Sequence, residues 1–427
     1  MCTSAAASLA ARDSSPFAPP RIEQVPLGAY LHRTLAAPVI APRAQPPFRA
    51  SAMDGYALSV EGLARRAAGP EIGFEIVGEA AAARAWPGTL GPAQAVRIFT
   101  GAPVPEGADA VVAQERTRRR EATATSAARV VLEPELAVAL EAGANIRSIG
   151  VDFPAGSELI AAGTRLHARH GALIAAAGLG TIAVRRRPRI ALLANGNELR
   201  APGEPAGPFE IYDSVTPGLA AMIEEWGGVP VPAGTAQDSE TAIDLAVRGA
   251  AAGADLLVII GGASVGDYDL VKRSLASLAL TLAVESVAVR PGKPTWFGTL
   301  PVSAAEPSQA AQELPVLGLP GNPAAAFVCA QLFLRPLIET LLGASRVPAL
   351  VTAALEGHLP AVGAEERYVR ASARVTSDAR LIVRPDPRQD TSLVSVYASS
   401  NAFIRRPAHE PAAAWGSFVE TLLLEIP

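Results

Sequence analysis

The alternation of apolar and polar residues changes rhythm near residue 185. Before that point, short apolar runs at 74–77, 95–99, 110–113 and 129–132 are separated by Gly- and Pro-bearing turns, and each reads as a strand. Their spacing predicts a small β-rich unit over 47–141. On its flanks, 25–35 reads as the start of a short helix with an amphipathic turn, 167–177 as a helix and 181–184 as a strand. The flanks, 21–46 and 142–184, can pair into one discontinuous domain interrupted by the β-rich unit. The run RRRPR at 185–189 reads as a solvated, charged hinge and as the best boundary.

Beyond the hinge, strands alternate with helices. A buried-type strand over 190–194 ends in Asn195-Gly196-Asn197, and a helix over 216–226 leads to a strand at 229–232. A helix over 241–252 then precedes 255–260, an uninterrupted apolar run suited to a central parallel strand. After a strand at 315–319, Gly321-Asn322-Pro323 opens a helix towards Leu342, with Asn322 suited to the N-cap and Pro323 to the first turn. The pattern predicts a three-layer α/β domain over 185–345. Short strands return at 366–375 and 381–384, predicting a small C-terminal β domain over 346–427.

Composition narrows the function classes. At 427 residues the chain exceeds one core, and 49% hydrophobic residues suffice to fill several. A formal net charge of -4 provides no basic field for nucleic acid or an anionic membrane, so any anion site must be local. The two cysteines, Cys2 and Cys329, have no neighbours at zinc-ligand spacing, which argues against a disulfide framework and fits a reducing cytoplasm. Residues 1–20 are rich in Ala, Ser and Pro and are interrupted by Arg12 and Asp13; they read as a disordered tail rather than a signal peptide. The longest apolar stretch, 171–184, is too short to span a bilayer. A soluble, cytoplasmic protein is expected.

The candidate chemistry lies in the loops of the α/β half. Three of its strands end in glycine-bearing loops: Ala194-Asn195-Gly196, the segment GGASVGD at 261–267, and Leu319-Pro320-Gly321-Asn322-Pro323. In an open parallel sheet such loops share one edge, where glycine lets backbone amides approach a phosphate. Together they point to an anionic, phosphorylated ligand. Glu198, Asp213, Asp238, Asp267 and Asp269 stand beside them, either as magnesium ligands or as caps of helices and turns. Arg290-Pro291-Gly292-Lys293-Pro294 sets two cations on a stiff turn, as positioned charges or as a plain exposed turn. By themselves SAMDGYA at 51–57 and RIFTGAP at 97–103 read as ordinary turns. His167 and His170 lack a third ligand, and Trp296 and Cys329 read as packing residues.

The segments PPFRASAMDGYA, RIFTGAPVPEGADAVVAQE, GANIRSIGVDFPAG, LLANGNEL, IYDS, GGASVGDYD, RPGKPTWFG, GLPGNPAAAF and RQDTSLVSVYASSNAFI follow one another over 21–427. In that order they resemble the molybdopterin molybdenumtransferase family, which includes the bacterial enzymes and the gephyrin E domain. The resemblance implies an α/β and β multidomain fold: a discontinuous N-terminal domain, a β-rich insert, a molybdopterin-binding three-layer α/β domain and a C-terminal β-barrel-like domain. It implies a homodimer whose clefts combine the α/β domain of one subunit with N-terminal domains of the other. The implied reaction uses molybdate, adenylylated molybdopterin and Mg2+, and yields molybdenum cofactor and AMP. An upstream molybdopterin adenylyltransferase and downstream molybdoenzymes would be partners.

Carried over residue by residue, Asp54 and Thr100 would face the partner's cleft, and Asp152 matches an acidic position of the family. Glu198 and Asp213 would bind magnesium or ligand, with Asp267 beside the glycine loop. Gly196, Gly261, Gly262, Ser264 and Gly266 would cradle pterin or phosphate, and Arg290 and Lys293 would neutralise phosphate or molybdate. Pro320, Gly321 and Pro323 form the turn expected to line the molybdate pocket, which Ser395 and Asn401 would close. The chain departs from the family at Arg49, Ala50, Asn197, Val215, Ala263 and Gln389-Asp390-Thr391, while retaining Asp54, Glu198, Asp213, Asp267 and Lys293. The altered loops also fit a catalytically weakened carrier or scaffold serving one molybdoenzyme. The α/β unit alone would also fit a hydrolase of nucleotide pyrophosphates.

Overall fold

The structure is a computed structural model that describes residues 21–66, 72–133, 135, 139–262, 270–302, 312–344 and 350–425. The tail 1–20 and, in the glycine loop, Ser264, Gly266, Asp267 and Asp269 lie outside these residues.

The two N-terminal flanks share one core. Strand Ile22–Pro26 pairs antiparallel with Thr181–Arg185, and Val39–Ile40 pairs with Glu158–Ile160. Val25, Leu35, Val39, Ile160, Leu166, Ile174, Ile182 and Val184 pack together beneath the helix Ala168–Ala176. The helix start expected over 25–35 is instead the end of this strand, followed by a single 3-10 turn at Leu27–Ala29. Tertiary pairing accounts for the change, because Val25 aligns with Ile182 on a partner strand more than 150 residues away.

Between the flanks lies a six-stranded sheet. Its order is Ala110–Ala113, Gly55–Leu58, Gln94–Ile98, Gly73–Ala80, Arg129–Leu132 and Thr117–Arg120. One face packs around Phe74 and Leu58, and the other around Ile98 and Val111. Strand Gly55–Leu58 begins inside the motif that reads locally as a turn, so SAMDGYA runs from a turn directly into an inner strand.

The α/β sheet has the order Val229–Ala236, Arg189–Asn195, Leu256–Ile260, Gln312–Leu319, Trp296–Val302, Thr281–Val284. The first four strands are parallel, and the last two add as an antiparallel edge. Helices Val215–Glu225 and Pro323–Leu341 cover one face, and Glu240–Ala251 and Leu270–Ser277 the other. The fully buried Leu192, Leu219, Val258 and Ile338 tie the first face together. Truncating one such side chain to Ala costs roughly 2–5 kcal/mol. Pro323–Leu341, not 171–184, is the longest apolar stretch among the described residues and is long enough to cross a membrane, which corrects the sequence reading; 72% of it is buried, as befits a core helix. A π-helical stretch at Ala330–Leu334 precedes Pro336, which lacks an N–H and crowds the carbonyl four residues back.

The run 185–189 is a bolted junction, which corrects its reading as a solvated hinge. Arg186 grips Asp255 at 2.6 and 2.8 Å, and Arg187 donates to the carbonyls of Gly227 and Gly228 just past a helix end. Pro188 is buried. Free carbonyls at a helix terminus and a carboxylate at a strand start attract the guanidinium groups out of solvent.

In the C-terminal region five strands close into a barrel: Glu366–Val375, Leu381–Pro385, Leu350–Leu355, Phe418–Leu423 and Ala402–Arg406, which returns to the first.

Candidate active site

The strand order reverses beside Arg189–Asn195, whose neighbours are the later strands Val229–Ala236 and Leu256–Ile260. This is the position at which doubly wound sheets open a crevice at their carboxyl ends. Asn195, Gly261 and Gly321 converge there. A Cβ on Gly261 would lie 2.8 Å from the Asn195 carbonyl oxygen, and one on Gly321 would lie 3.4 Å from the Gly261 Cα. Gly261 and Gly262 have φ of 86° and 66°, a region in which side chains are strained. Three backbones therefore meet at a spot where position 261 has no room for a side chain.

The Asn195 side chain is nearly buried, and its amide nitrogen donates to Asp238 Oδ1 at 2.8 Å. The backbone N–H of Asn197 donates to Asp238 Oδ2, and the Asp238 N–H donates back to Asn197 Oδ1. Asp238 thus locks the loop after the first strand, and Asn197 spends its side-chain carbonyl on that lock. Among the described residues Asn195 Oδ1 has no partner, leaving a buried acceptor at the crevice. Spacing alone could not single out Asn195, because its partner Asp238 lies 43 residues away.

The two carboxylates expected to bind metal flank this crevice without adjoining each other. Leu199–Arg200 pairs in parallel with Ile211–Tyr212, which sets Glu198 at one end and Asp213 at the other. Glu198 is exposed and folds over Gly196. Asp213 Oδ1 accepts from the N–H groups of Val215 and Thr216, both at 3.0 Å, and so caps Val215–Glu225. Among the described residues no three His, Cys, Asp or Glu side chains gather into a metal-holding group. Magnesium needs only one or two carboxylates when substrate phosphates supply the rest, so Glu198 or the second oxygen of Asp213 could each serve as a single ligand.

Pro323 opens its helix at the first position, and Asn322 stands at the N-cap without a side-chain cap bond. The Ala324 N–H instead donates to the carbonyl of Thr391, from the C-terminal half. That segment is held from beneath by the buried Arg370, which donates to the Asp390 carbonyl at 2.9 Å. Tyr397 stacks on Phe327 at 4.6 Å, and burial pushes its hydroxyl up to about 12. Ser395 lies exposed on the short helix Val394–Ala398. Asn401 serves the barrel, since its side-chain amide exchanges two hydrogen bonds with the backbone of Ala373.

On the turn after Val289–Arg290, both cations find the same partner, Glu365. Arg290 Nε pairs with Oε2, and Lys293 Nζ lies 3.0 Å from Oε1. Their hydrogen bonds hold the Glu365 carboxyl below the usual carboxylate range, Lys293 contributing most. Trp296 and Cys329 are buried packing residues.

The N-terminal motifs form a second constellation. Asp54 Oδ1 accepts from the Thr100 N–H at 2.8 Å and from the Thr100 hydroxyl at 2.7 Å, across 46 residues. These bonds, the backbone one first, hold the Asp54 carboxyl below its ordinary range. A Cβ on Gly55 would lie 1.9 Å from the Val112 carbonyl oxygen, so the turn can seat Asp54 only with glycine next in sequence. Arg97 lies over the Tyr56 and Phe99 rings and donates to the Gly55 carbonyl. Asp152 is exposed on a neighbouring loop, its N–H donating to the Gln45 carbonyl. Among the described residues of one chain, no hydrogen bond or ion pair joins Asp54 to the crevice.

Residues 3–178 match the MoeA N-terminal region (domain I and II), and residues 191–340 match a probable molybdopterin binding domain. A molybdopterin molybdenumtransferase from Nostoc is 34% identical over 95% of this chain and 89% of its own length. One from Bacillus subtilis is 32% identical over 94% and 90%. The crystal structure of a molybdopterin biosynthesis MoeA protein from Pyrococcus horikosii superposes with a TM-score of 0.82, at 26% identity, over 99% of this chain and 98% of that one. The chain belongs to the molybdopterin molybdenumtransferase family, and its multidomain α/β and β fold is that family's fold.

Proposed function

We propose that this protein inserts molybdenum from molybdate into adenylylated molybdopterin with release of AMP, as an enzyme of molybdenum cofactor biosynthesis. The observation that carries the reading is the crevice at the strand reversal, where Asn195, Gly261 and Gly321 crowd together. Backbone amides freed of side chains suit a pyrophosphate, and Asn195 Oδ1 offers the ligand an acceptor for an N–H or O–H. Arg290 and Lys293 would neutralise phosphate or molybdate. Pro320, Gly321 and Pro323 would line the molybdate pocket, with Ser395 at its rim. Ser264, Gly266 and Asp267 would extend the cradle. Glu198 and Asp213 would hold Mg2+, which when bound withdraws charge from the phosphoanhydride.

Asp54, with Thr100 fixing its oxygen and Asp152 nearby, would enter the crevice of a partner subunit in a cytoplasmic homodimer. Phe48, Met53, Ile149 and Val151 are exposed around Asp54, and Phe209, Ile211 and Tyr212 are exposed beside Asp213, which suits two faces that meet between subunits. A molybdopterin adenylyltransferase would supply the substrate, and molybdoenzymes would take the product.

The second reading, a weakened carrier, draws on Asn197, whose uncharged side chain is spent on Asp238 where the family often places a carboxylate. Incubating the protein with adenylylated molybdopterin, magnesium and molybdate separates the two. Molybdate-dependent AMP release, lost in Glu198→Ala, supports the enzyme; tight binding without AMP release refutes it in favour of the carrier.

A further inference from the structure

We propose that Glu365 is a built-in competitor for the anionic ligand, occupying Arg290 and Lys293 until an anion with further contacts displaces it; this rests on reading those two residues as anion-binding cations.

Backbone geometry fixes the arrangement before any side chain is considered. Val289–Arg290 pairs in parallel with Glu366–Arg367, and the Glu366 N–H donates to the Ala288 carbonyl at 3.0 Å. Glu365 is therefore delivered to the cationic turn by the first strand of the closed barrel. Its side chain is only 19% exposed, whereas Arg290 and Lys293 are 59% and 54% exposed. The carboxylate is the least exposed of the three groups, while both cations keep more than half of their side-chain surface open to solvent. Arginine carries five N–H donors and lysine three, so most of that capacity faces solvent.

Charge decides what those donors can attract. Two cations and one carboxylate leave a net charge of about one, and an arriving dianion meets a fixed like charge a few ångströms behind its partners. The carboxyl, held below the usual range by these same pairs, stays ionised at neutral pH. A lone phosphate or molybdate therefore gains little from the turn. A ligand that also reaches the amides of the crevice gains enough to draw both cations away. Glu365 would thus set selectivity for the complete substrate and ease departure of a small product anion.

The probes are molybdate and inorganic pyrophosphate, titrated calorimetrically at fixed ionic strength. Glu365→Gln should bind both about five- to tenfold more tightly, whereas Glu365→Asp, which keeps the charge, should stay near the parent. In turnover, Glu365→Gln should lower KM for molybdate without raising kcat. Unchanged or weaker binding by a folded Glu365→Gln protein would overturn the proposal, provided that Arg290→Gln/Lys293→Gln weakens binding. If that double variant binds as the parent does, the assignment of the cations fails, and the proposal fails with it.

Discussion

Asp54 keeps its charge because Thr100 offers it two donors, one from the backbone and one from the side chain. Both favour the ionised form, so its folded-state pKa lies below the unfolded one. The sign follows: the pairing stabilises the fold at pH values above the unfolded pKa and fades as pH falls through the folded one. Thr100→Val deletes the hydroxyl donor and keeps the backbone N–H, the stronger influence on the carboxyl. The acidic limb of the kcat/KM profile should then move to higher pH, part of the way towards an ordinary aspartate; an unmoved limb would remove Asp54 from the ionisations that control turnover. Little of this was legible locally. SAMDGYA and RIFTGAP each look like a plain turn, and only a contact across 46 residues makes them one site. Glu365 was less legible still, since its cations lie more than 70 residues away and its own segment carries no periodic signal. The glycine loops, by contrast, could be read because the conformations they need exclude other residues.

At the level of elements, burial on both faces made the parallel strands readable. Leu256–Ile260 has no polar position to confuse its assignment. The antiparallel edge was harder: Trp296–Val302 contains Gly298 and Pro301, and Thr281–Val284 is short and half covered. The pattern over 25–35 suggests a helix start because the strand that ends at Pro26 depends on a distant partner. The junction at 185–189 looked solvated because arginine runs usually are. Its grip can be tested through Asp255, whose carboxylate receives Arg186 and also the Arg189 N–H at 2.7 Å. Asp255→Ala leaves a half-buried guanidinium and an amide unpaired, and should cost about 1–3 kcal/mol. Chemical denaturation followed by tryptophan fluorescence would report it as a lower midpoint. An unchanged midpoint would return the run to the role of a solvated linker.

At the scale of the whole molecule, the two halves of the proposed site carry complementary needs. The crevice has an unpartnered acceptor and carboxylates at its margins, while Asp54 stands in the N-terminal region amid exposed apolar residues. Under the proposed reading, each half would find its complement in a second copy of the chain. Subunit mixing tests this directly. Asp54→Ala and Glu198→Ala should each be inactive alone. When the two are unfolded together and refolded in equal amounts, half of the dimers are mixed. Each mixed dimer holds one intact crevice facing an intact Asp54, and one site lacking both. About a quarter of the parental activity should therefore return. If each site were built within one chain, every chain in the mixture would carry a defect and no activity would come back.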